Sequence, residues 1–154
     1  MTQPRPSAAF TVEHAVEIAR RAHEGQIDKS GQPYIGHPMR VMSQVAGPHA
    51  QMAAVLHDVI EDTPVTARDL LAAGCPPPVV ATVVALSKER GESQPEYLAR
   101  VAADPVALVV KRADIADNSG PERFDQLDPA TQRRLRTKYR ESLRLLDEYE
   151  QHVH

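Results

Sequence analysis

The residues best suited to catalysis or metal binding follow an apolar stretch in the first half of the chain, in the run Leu56 to Thr63. His57 and Asp58 are adjacent there, and Glu61 and Asp62 follow within one helical turn. On a helix, residues four apart share a face, so an imidazole and three carboxylates should crowd together. Because carboxylates at short range repel one another, this spacing indicates a site for a cation.

Two further candidate ligands stand elsewhere in the chain. His37 ends a loop just before a predicted helix, and Asp114 lies inside the apolar run from Val106 to Ile115. An unpaired carboxylate within such an apolar helix would be costly. Imidazole and carboxylate ligands together suit Mn²⁺, Fe²⁺ or Zn²⁺ better than Ca²⁺. His37 and Asp114 are therefore further candidate ligands for a metal ion at the His57-Asp58 site.

The remaining histidines and the cysteine lack such neighbours. We expect surface positions for five histidines, which are His14, His23, His49, His152 and His154. Cys75 lies in a Pro-rich turn with no basic partner visible in the sequence, so we expect an inert thiol. The sequence contains no Walker loop, GxGxxG fingerprint, HExxH helix or GxSxG elbow. Metal-dependent chemistry is therefore the favoured activity.

The elements that must position these residues are predicted to be helices. Thr11 is a predicted N-cap, and the first helix should end near Gly25. A loop over 26–38 leads into a second helix to about Val45, and a third should run unbroken from Ala50 to Glu61. Later helices are predicted at 66–73, 79–88, 95–103, 104–116 and from 129 onward. These segments predict an all-α bundle of about seven to nine helices.

The composition supports a helical fold and limits the classes of partner. Hydrophobic residues make up 42% of the 154 residues and aromatic residues only 4%, with no Trp, which suits helices better than a sandwich or barrel. A Pro-rich tail over 1–10 and one domain over 11–154 are expected. The net charge of -3 argues against a nucleic-acid polymer and leaves room for a small anionic ligand. With no signal peptide or membrane span in the sequence, we expect a cytoplasmic protein, either a monomer or a homo-oligomer.

The order of these ligands resembles that of the HD phosphohydrolase superfamily. More narrowly, the chain resembles the hydrolase domain of RelA/SpoT-type proteins and the stand-alone small alarmone hydrolases of the Mesh type. Four segments carry this resemblance: Ala22 to Gln26, Lys29 to Pro38, Leu56 to Thr63 and Val110 to Asn118. The run HDVIEDT beside YIGHP is far more specific than the HD pair alone, and the resemblance extends over about residues 11 to 150.

The resemblance implies a compact helical HD-domain bundle with one divalent ion, Mn²⁺, held by His37, His57, Asp58 and Asp114. The implied reaction removes the 3′-pyrophosphate from guanosine alarmones, turning (p)ppGpp into GDP or GTP and pyrophosphate. Glu61 and Asp62 match the acidic pair that positions or activates the attacking water. The implied substrate-binding residues are Lys29, Lys88, Asn118 and Tyr139. Because no synthetase region follows the hydrolase region, alarmone synthesis is not expected.

The chain departs from this family at two places that bear on the nucleotide base. Asp28 stands where the family has an arginine that stacks on guanine, and Ser119-Gly120-Pro121 replaces a basic residue after Asn118. Arg112 and Arg123 are candidates to compensate. Two alternatives therefore stay open: the same chemistry on an adenosine alarmone or another phosphorylated nucleotide, and a metal-bound nucleotide sensor without turnover. A helical interaction module with no site would leave Asp114 unexplained.

Overall fold

The computed structural model describes residues 9–153, and this part of the chain forms ten helical segments. The segments are α1 (Val12–Ala22), α2 (Gly36–Ser43), α3 (Pro48–Leu56), α4 (Val59–Asp62), α5 (Ala67–Ala72), α6 (Pro77–Ala85), α7 (Gln94–Ala102), α8 (Pro105–Asn118), α9 (Pro121–Phe124) and α10 (Pro129–Val153). An isolated β-bridge joins Ile27 to Pro33 in the loop after α1. The all-α prediction is confirmed.

Local sequence signals explain where most of the helices begin and end. The hydroxyl of Thr11 accepts a hydrogen bond from the backbone of His14, and that of Thr66 accepts one from Asp69, so both predicted N-caps are present. Asp104 caps α8 by accepting from two backbone N–H groups. After α5 the chain turns at Gly74, whose φ of +96° favours a residue without a Cβ.

The prediction of one unbroken helix from Ala50 to Glu61 is wrong. α3 ends at Leu56, and His57 and Asp58 form a turn before α4. The run contains neither Gly nor Pro, so no local signal marks the break. Both side chains bind distant partners, and we attribute the turn to these tertiary contacts. The backbone N–H of Asp62 still donates to the carbonyl of Asp58 over 2.9 Å, so Asp62 lies one turn beyond Asp58 as predicted.

The core is centred on α3, which packs against α1, α2, α6 and α8. Its residues from Met52 to Leu56 are all buried, and Val55 and Leu56 are fully so. Burying one such side chain stabilises the fold by about 1.5–3 kcal/mol. Because α2 and α8 both pack on α3 and on each other, the ends of these helices bring His37, His57 and Asp114 together.

The predicted N-terminal tail falls mostly on residues 1–8, which lie outside the described residues. Phe10, which we assigned to the tail, is half-buried and packs against the core. At the other end of the chain, α10 packs mainly on α7 and also touches α8. No helix within residues 9–153 has both the length and the apolar character needed to cross a membrane.

Candidate metal centre and adjoining cavities

The four predicted ligands meet in a buried cluster. His37 comes from the start of α2, His57 and Asp58 from the turn between α3 and α4, and Asp114 from α8. The Nε2 atoms of His37 and His57 lie 2.8 Å and 3.2 Å from the same oxygen, Oδ1 of Asp114. Oδ2 of Asp58 lies 3.0 Å from Nε2 of His57 and 3.8 Å from Nε2 of His37. Two imidazoles and two carboxylates therefore face one small volume.

The contacts of Nδ1 indicate which tautomer each neutral imidazole adopts. Nδ1 of His57 lies against the backbone carbonyl of Ala54, and Nδ1 of His37 lies 2.6 Å from a carboxylate oxygen of Asp117. Carbonyl and carboxylate oxygens only accept, so Nδ1 carries the proton in each neutral ring. In a neutral ring, Nε2 then presents a lone pair to the carboxylate oxygens. A proton on Nε2 or a cation between the groups satisfies these close contacts, and the donor set fits a divalent transition metal.

The electrostatics of the cluster favour positive charge. Burial alone would lower the pKa of His57, but the carboxylates of Asp58 and Asp114 raise it well above its ordinary value. Burial would raise the pKa of Asp58, but the imidazole of His57 holds it at about 2. The pKa of Asp114 is lowered well below its usual range, against the effect of burial, by Lys111 and His57. Both carboxylates are therefore ionised at neutral pH.

A second layer of contacts orients His37. Asp117, only 4% exposed, accepts from Nδ1 of His37 and from Nε of Arg40 over 2.7 Å. Hydrogen bonds of this kind fix the ring and its tautomer at metal sites. The sequence analysis assigned no role to Asp117 or Arg40. The signal that could have found Asp117 is its position three residues after Asp114, which places both on one side of α8.

The acidic pair lies next to the cluster but is held by different contacts. The hydroxyl of Tyr34 donates to Asp58 over 2.6 Å and lies 3.5 Å from Oδ2 of Asp62. Burial, followed by the charges of Asp58 and Glu61, raises the pKa of Asp62 to about 6. One carboxylate oxygen of Glu61 accepts from the backbone N–H of Lys88 over 2.6 Å, which ties α4 to the segment after α6.

Two adjoining cavities open beside the cluster and contain the predicted substrate-binding residues. The first, of about 160 Å³, is lined by Glu61, Lys88, Asn118 and Tyr139 among others. The second, of about 130 Å³, contains Lys29 and again Asn118 and Tyr139. The Nδ2 of Asn118 donates to Asp114 over 3.3 Å, and its buried Oδ1 has no hydrogen-bond partner within residues 9–153. All ten predicted site residues are thus brought into one region.

Lysines concentrate positive charge in these cavities. Lys111 lines the first and binds Asp114 over 3.0 Å, and Lys138 lines both. The pKa of Lys138 is lowered by its partial burial and by the charges of Lys111, Lys88 and Lys29. The sequence analysis missed Lys138, although it directly precedes Tyr139. Mutual repulsion among these ammonium groups makes the region suited to a multiply charged anion.

The two arginines considered as replacements for the family's basic residues lie in different surroundings. Arg112 binds Asp147 and Glu150 on α10, so it holds two helices together. Arg123 instead lines the second cavity, with its guanidinium carbon 5.4 Å from the centre of the Tyr34 ring. Asp28 also lines this cavity, and its Oδ1 accepts from the backbone N–H groups of Ser30 and Gln32. Asp28 therefore forms the turn before the metal-site loop.

The remaining histidines differ from the expectation in part. His14 and His152 are exposed, as predicted, and His154 lies outside the described residues. His49 is half-buried, with Nε2 3.0 Å from the hydroxyl of Thr82. His23 is 2% exposed, so its predicted surface position is wrong: it closes the C-terminal end of α1 and packs on Tyr34. Cys75 is buried, and burial raises its thiol pKa to about 11, which agrees with an inert thiol.

Comparisons of sequence place this chain beside alarmone enzymes. No family model matches the chain. Over 57 residues it is 60% identical to the guanosine-3′,5′-bis(diphosphate) 3′-pyrophosphohydrolase of Haemophilus influenzae, a match that covers 34% of this chain and 8% of that protein. Over 149 residues it is 34% identical to a probable GTP pyrophosphokinase of Mycobacterium leprae, covering 88% of this chain and 18% of that one. The chain therefore spans less than a fifth of these curated relatives.

A comparison of structures extends the match over the whole fold. The structure of a metazoan ortholog of SpoT that hydrolyses ppGpp superposes with a TM-score of 0.65. The superposition covers 99% of this chain and 96% of that one, at 22% sequence identity. At this identity the comparison establishes the shared helical fold, and the activity of this chain is a separate question.

Proposed function

Because the chain resembles the SpoT-type hydrolases in sequence and in fold, we propose that it is a metal-dependent 3′-pyrophosphohydrolase of (p)ppGpp. Water attacks the phosphorus that is bonded to the 3′ oxygen of the ribose. The oxygen of the water becomes part of the released pyrophosphate. The bond to the 3′ oxygen breaks, and that oxygen takes up a proton to restore the hydroxyl of GDP or GTP. We extend the proposal to one HD domain over residues 11–154, one Mn²⁺ ion, and no polymer partner.

A single observation carries this proposal: two imidazole rings and two ionised carboxylates face one volume beside lysine-rich cavities. His37, His57, Asp58 and Asp114 would hold the ion. When bound, a divalent ion supplies a Lewis acid for the phosphoryl oxygens and lowers the pKa of a coordinated water. The contacts of Asp117 and Ala54 hold the two rings in the tautomer that ligation requires.

The acidic pair has two separable roles in the proposal. Asp62 has a pKa of about 6 and one oxygen near the hydroxyl of Tyr34, so it can accept a proton from the attacking water near neutral pH. Glu61 lines the first cavity and is held by the backbone of Lys88, which suits orientation of the water or of the substrate. We therefore assign general-base catalysis to Asp62 and positioning to Glu61.

The cavities supply groups for the rest of the nucleotide. Lys88, Lys111 and Lys138 offset the negative charge of phosphates in the first cavity, and Lys29 adds a charge in the second. The free Oδ1 of Asn118 can accept a hydrogen bond from a ribose hydroxyl, since its amide nitrogen is held by Asp114. Tyr139 lies where the two cavities adjoin and presents an aromatic surface to the nucleoside.

A substrate panel tests the proposal. Purified protein with Mn²⁺ is incubated with guanosine and adenosine nucleotides that carry a 3′-pyrophosphate, and released pyrophosphate is measured. Asp58→Ala serves as the blank, because it removes a ligand. We expect the wild-type protein to release pyrophosphate from the guanosine nucleotide and Asp58→Ala to release none. Pyrophosphate release from the adenosine nucleotide alone would overturn the guanosine assignment, and nucleotide binding without release would indicate a sensor.

A further inference from the structure

His23 is a buried histidine that the proposed mechanism does not use. It caps the end of α1, is 2% exposed, and packs its ring against Tyr34 with ring centres 4.9 Å apart. Tyr34 in turn lies edge-on to His37 at 6.0 Å between ring centres. The charged groups that act on the His23 imidazole are Asp58, His57 and His37. His23 therefore lies near the charged groups of the proposed metal centre and has Tyr34 as a neighbour in common with His37.

The tautomer of His23 is fixed by a chain of hydrogen bonds. The Nε2 amide of Gln26 donates to the backbone carbonyl of Asp62 over 3.0 Å, which turns the Gln26 oxygen towards His23. That oxygen lies 2.8 Å from Nδ1 of His23. Since an amide oxygen only accepts, Nδ1 must carry the proton. Burial lowers the pKa of His23, so the ring is neutral at pH 7 and Nε2 bears a lone pair.

Within the described part of the chain, this lone pair has no protein partner. Nε2 of His23 is buried and makes no hydrogen bond within residues 9–153. Leaving a buried acceptor unsatisfied costs about 1–3 kcal/mol, so such atoms in folded proteins are nearly always paired with protein or water. The ring is already fixed at its other nitrogen and on its face by Tyr34, so it cannot rotate to find another donor. A water molecule in the site can supply the donor that the described residues lack.

We propose that His23 is a positioning residue of the metal centre, whose Nε2 accepts a hydrogen bond from a water molecule held there. The inference rests on the proposed metal-dependent function. Water is favoured over direct ligation because the described residues form two close groups of possible metal ligands, and neither includes His23. One group is His37, His57 and Asp58, and the other is Asp58, Glu61 and Asp62. Water at a metal centre is a strong donor, which matches an acceptor-only atom.

The same chain of contacts links this water to the general base. Gln26 binds His23 with one end of its amide and the backbone of Asp62 with the other. Tyr34 packs on His23 and places its hydroxyl between Asp58 and Asp62. His23 can thus set the position of water relative to the carboxylate of Asp62. This makes it a positioning residue for the attacking water, with Asp62 as the group that takes the proton.

The matched pair His23→Phe and His152→Phe tests the proposal. Phe at 23 keeps a ring against Tyr34 and removes both nitrogens, whereas His152 is exposed near the end of α10. Mn²⁺ affinity is measured on metal-free protein by titration calorimetry, and kcat and KM are measured separately. We expect His23→Phe to lose about 10–100-fold in Mn²⁺ affinity and in kcat, with KM nearly unchanged, as for other residues that support a metal site. Wild-type affinity and kcat in His23→Phe would overturn the proposal.

The tautomer of His23 and the Mn²⁺ binding of the wild-type protein provide two further tests. If His23→Phe fails to fold, long-range ¹H–¹⁵N spectra of the wild-type protein replace it: the proposal requires a proton on Nδ1 of His23 and none on Nε2, and the opposite tautomer would overturn it. Metal binding also separates this inference from the assigned reaction. Wild-type protein that binds Mn²⁺ without releasing pyrophosphate would overturn the reaction while a weakened His23→Phe still supports the inference. Wild-type protein that binds no Mn²⁺ would overturn both.

Discussion

Nδ1 of His37 lies 2.6 Å from Oδ2 of Asp117, and both side chains are buried. Arg40 holds the same carboxylate through Nε over 2.7 Å, so the contact is fixed from two sides. When the ring of His37 is neutral, its Nε2 therefore presents a lone pair on the side of Asp114. Under the proposed function, Asp117 on α8 thus orients His37 on α2 as a ligand of the metal ion.

Asp117→Ala should therefore weaken the metal site without removing any ligand. We expect Mn²⁺ affinity to fall about 10–100-fold, because His37 loses the contact that fixes its ring and tautomer. Titration calorimetry on metal-free protein measures the affinity, and Asp125→Ala, at an exposed position, is the control. Equal affinities in the two variants would show that Asp117 has no part in metal binding.

Asp62→Asn should separate chemistry from metal binding. The amide has nearly the shape of the carboxylate but cannot take a proton, so kcat should fall by about 10²–10⁴-fold. Mn²⁺ affinity should fall far less, since Asp62 lies outside the four-ligand cluster. Steady-state kinetics and calorimetry on the same preparation give both quantities. Retained turnover would mean that another group activates the water.

Lys138→Ala should impair substrate binding more than the chemical step. Lys138 lines both cavities, and a charge-assisted hydrogen bond to phosphate contributes about 1.5–3 kcal/mol, so KM should rise about 10-fold or more. The effect should shrink as ionic strength rises, because salt screens the attraction. Arg140→Ala, an exposed cation on the same helix, is the control. A rise in KM of equal size in both variants would argue for a general charge effect.

The two candidate arginines should behave in opposite ways. Arg123→Ala should raise KM, since Arg123 lines the second cavity. Arg112→Ala should leave KM unchanged and lower the free energy of unfolding by less than about 1 kcal/mol, because its contacts to Asp147 and Glu150 are partly exposed. Steady-state kinetics give KM and urea unfolding gives the free energy of unfolding for both variants. An increase in KM from Arg112→Ala alone would reverse the assignment.

The proposed metal ligands could be picked out from the sequence because several of them carry local signals. Asp114 is conspicuous within an apolar helix, and His57-Asp58 stands at the end of another. The N-caps at Thr11 and Thr66 were predictable for the same reason, since capping depends on residues a few positions apart. Such features need no knowledge of how the helices pack.

The features that were missed depend on packing. The break at His57 and Asp58 has no Gly or Pro to mark it and coincides with contacts to Asp114 and Tyr34. His23 follows a helix whose exposed face is polar, so its sequence context predicted a surface residue. Its burial depends on Tyr34 and Gln26, which the loop after α1 brings back onto it. Periodicity along one helix does not contain this information.

The identity of the products tests the central claim most directly. Metal-stripped protein is incubated with ppGpp, with and without added Mn²⁺, and the nucleotides and phosphates are separated by anion exchange. The account predicts equimolar GDP and pyrophosphate that form only when the metal is restored. Products that retain a 3′ phosphate, or no products from a protein that has bound Mn²⁺, would contradict it.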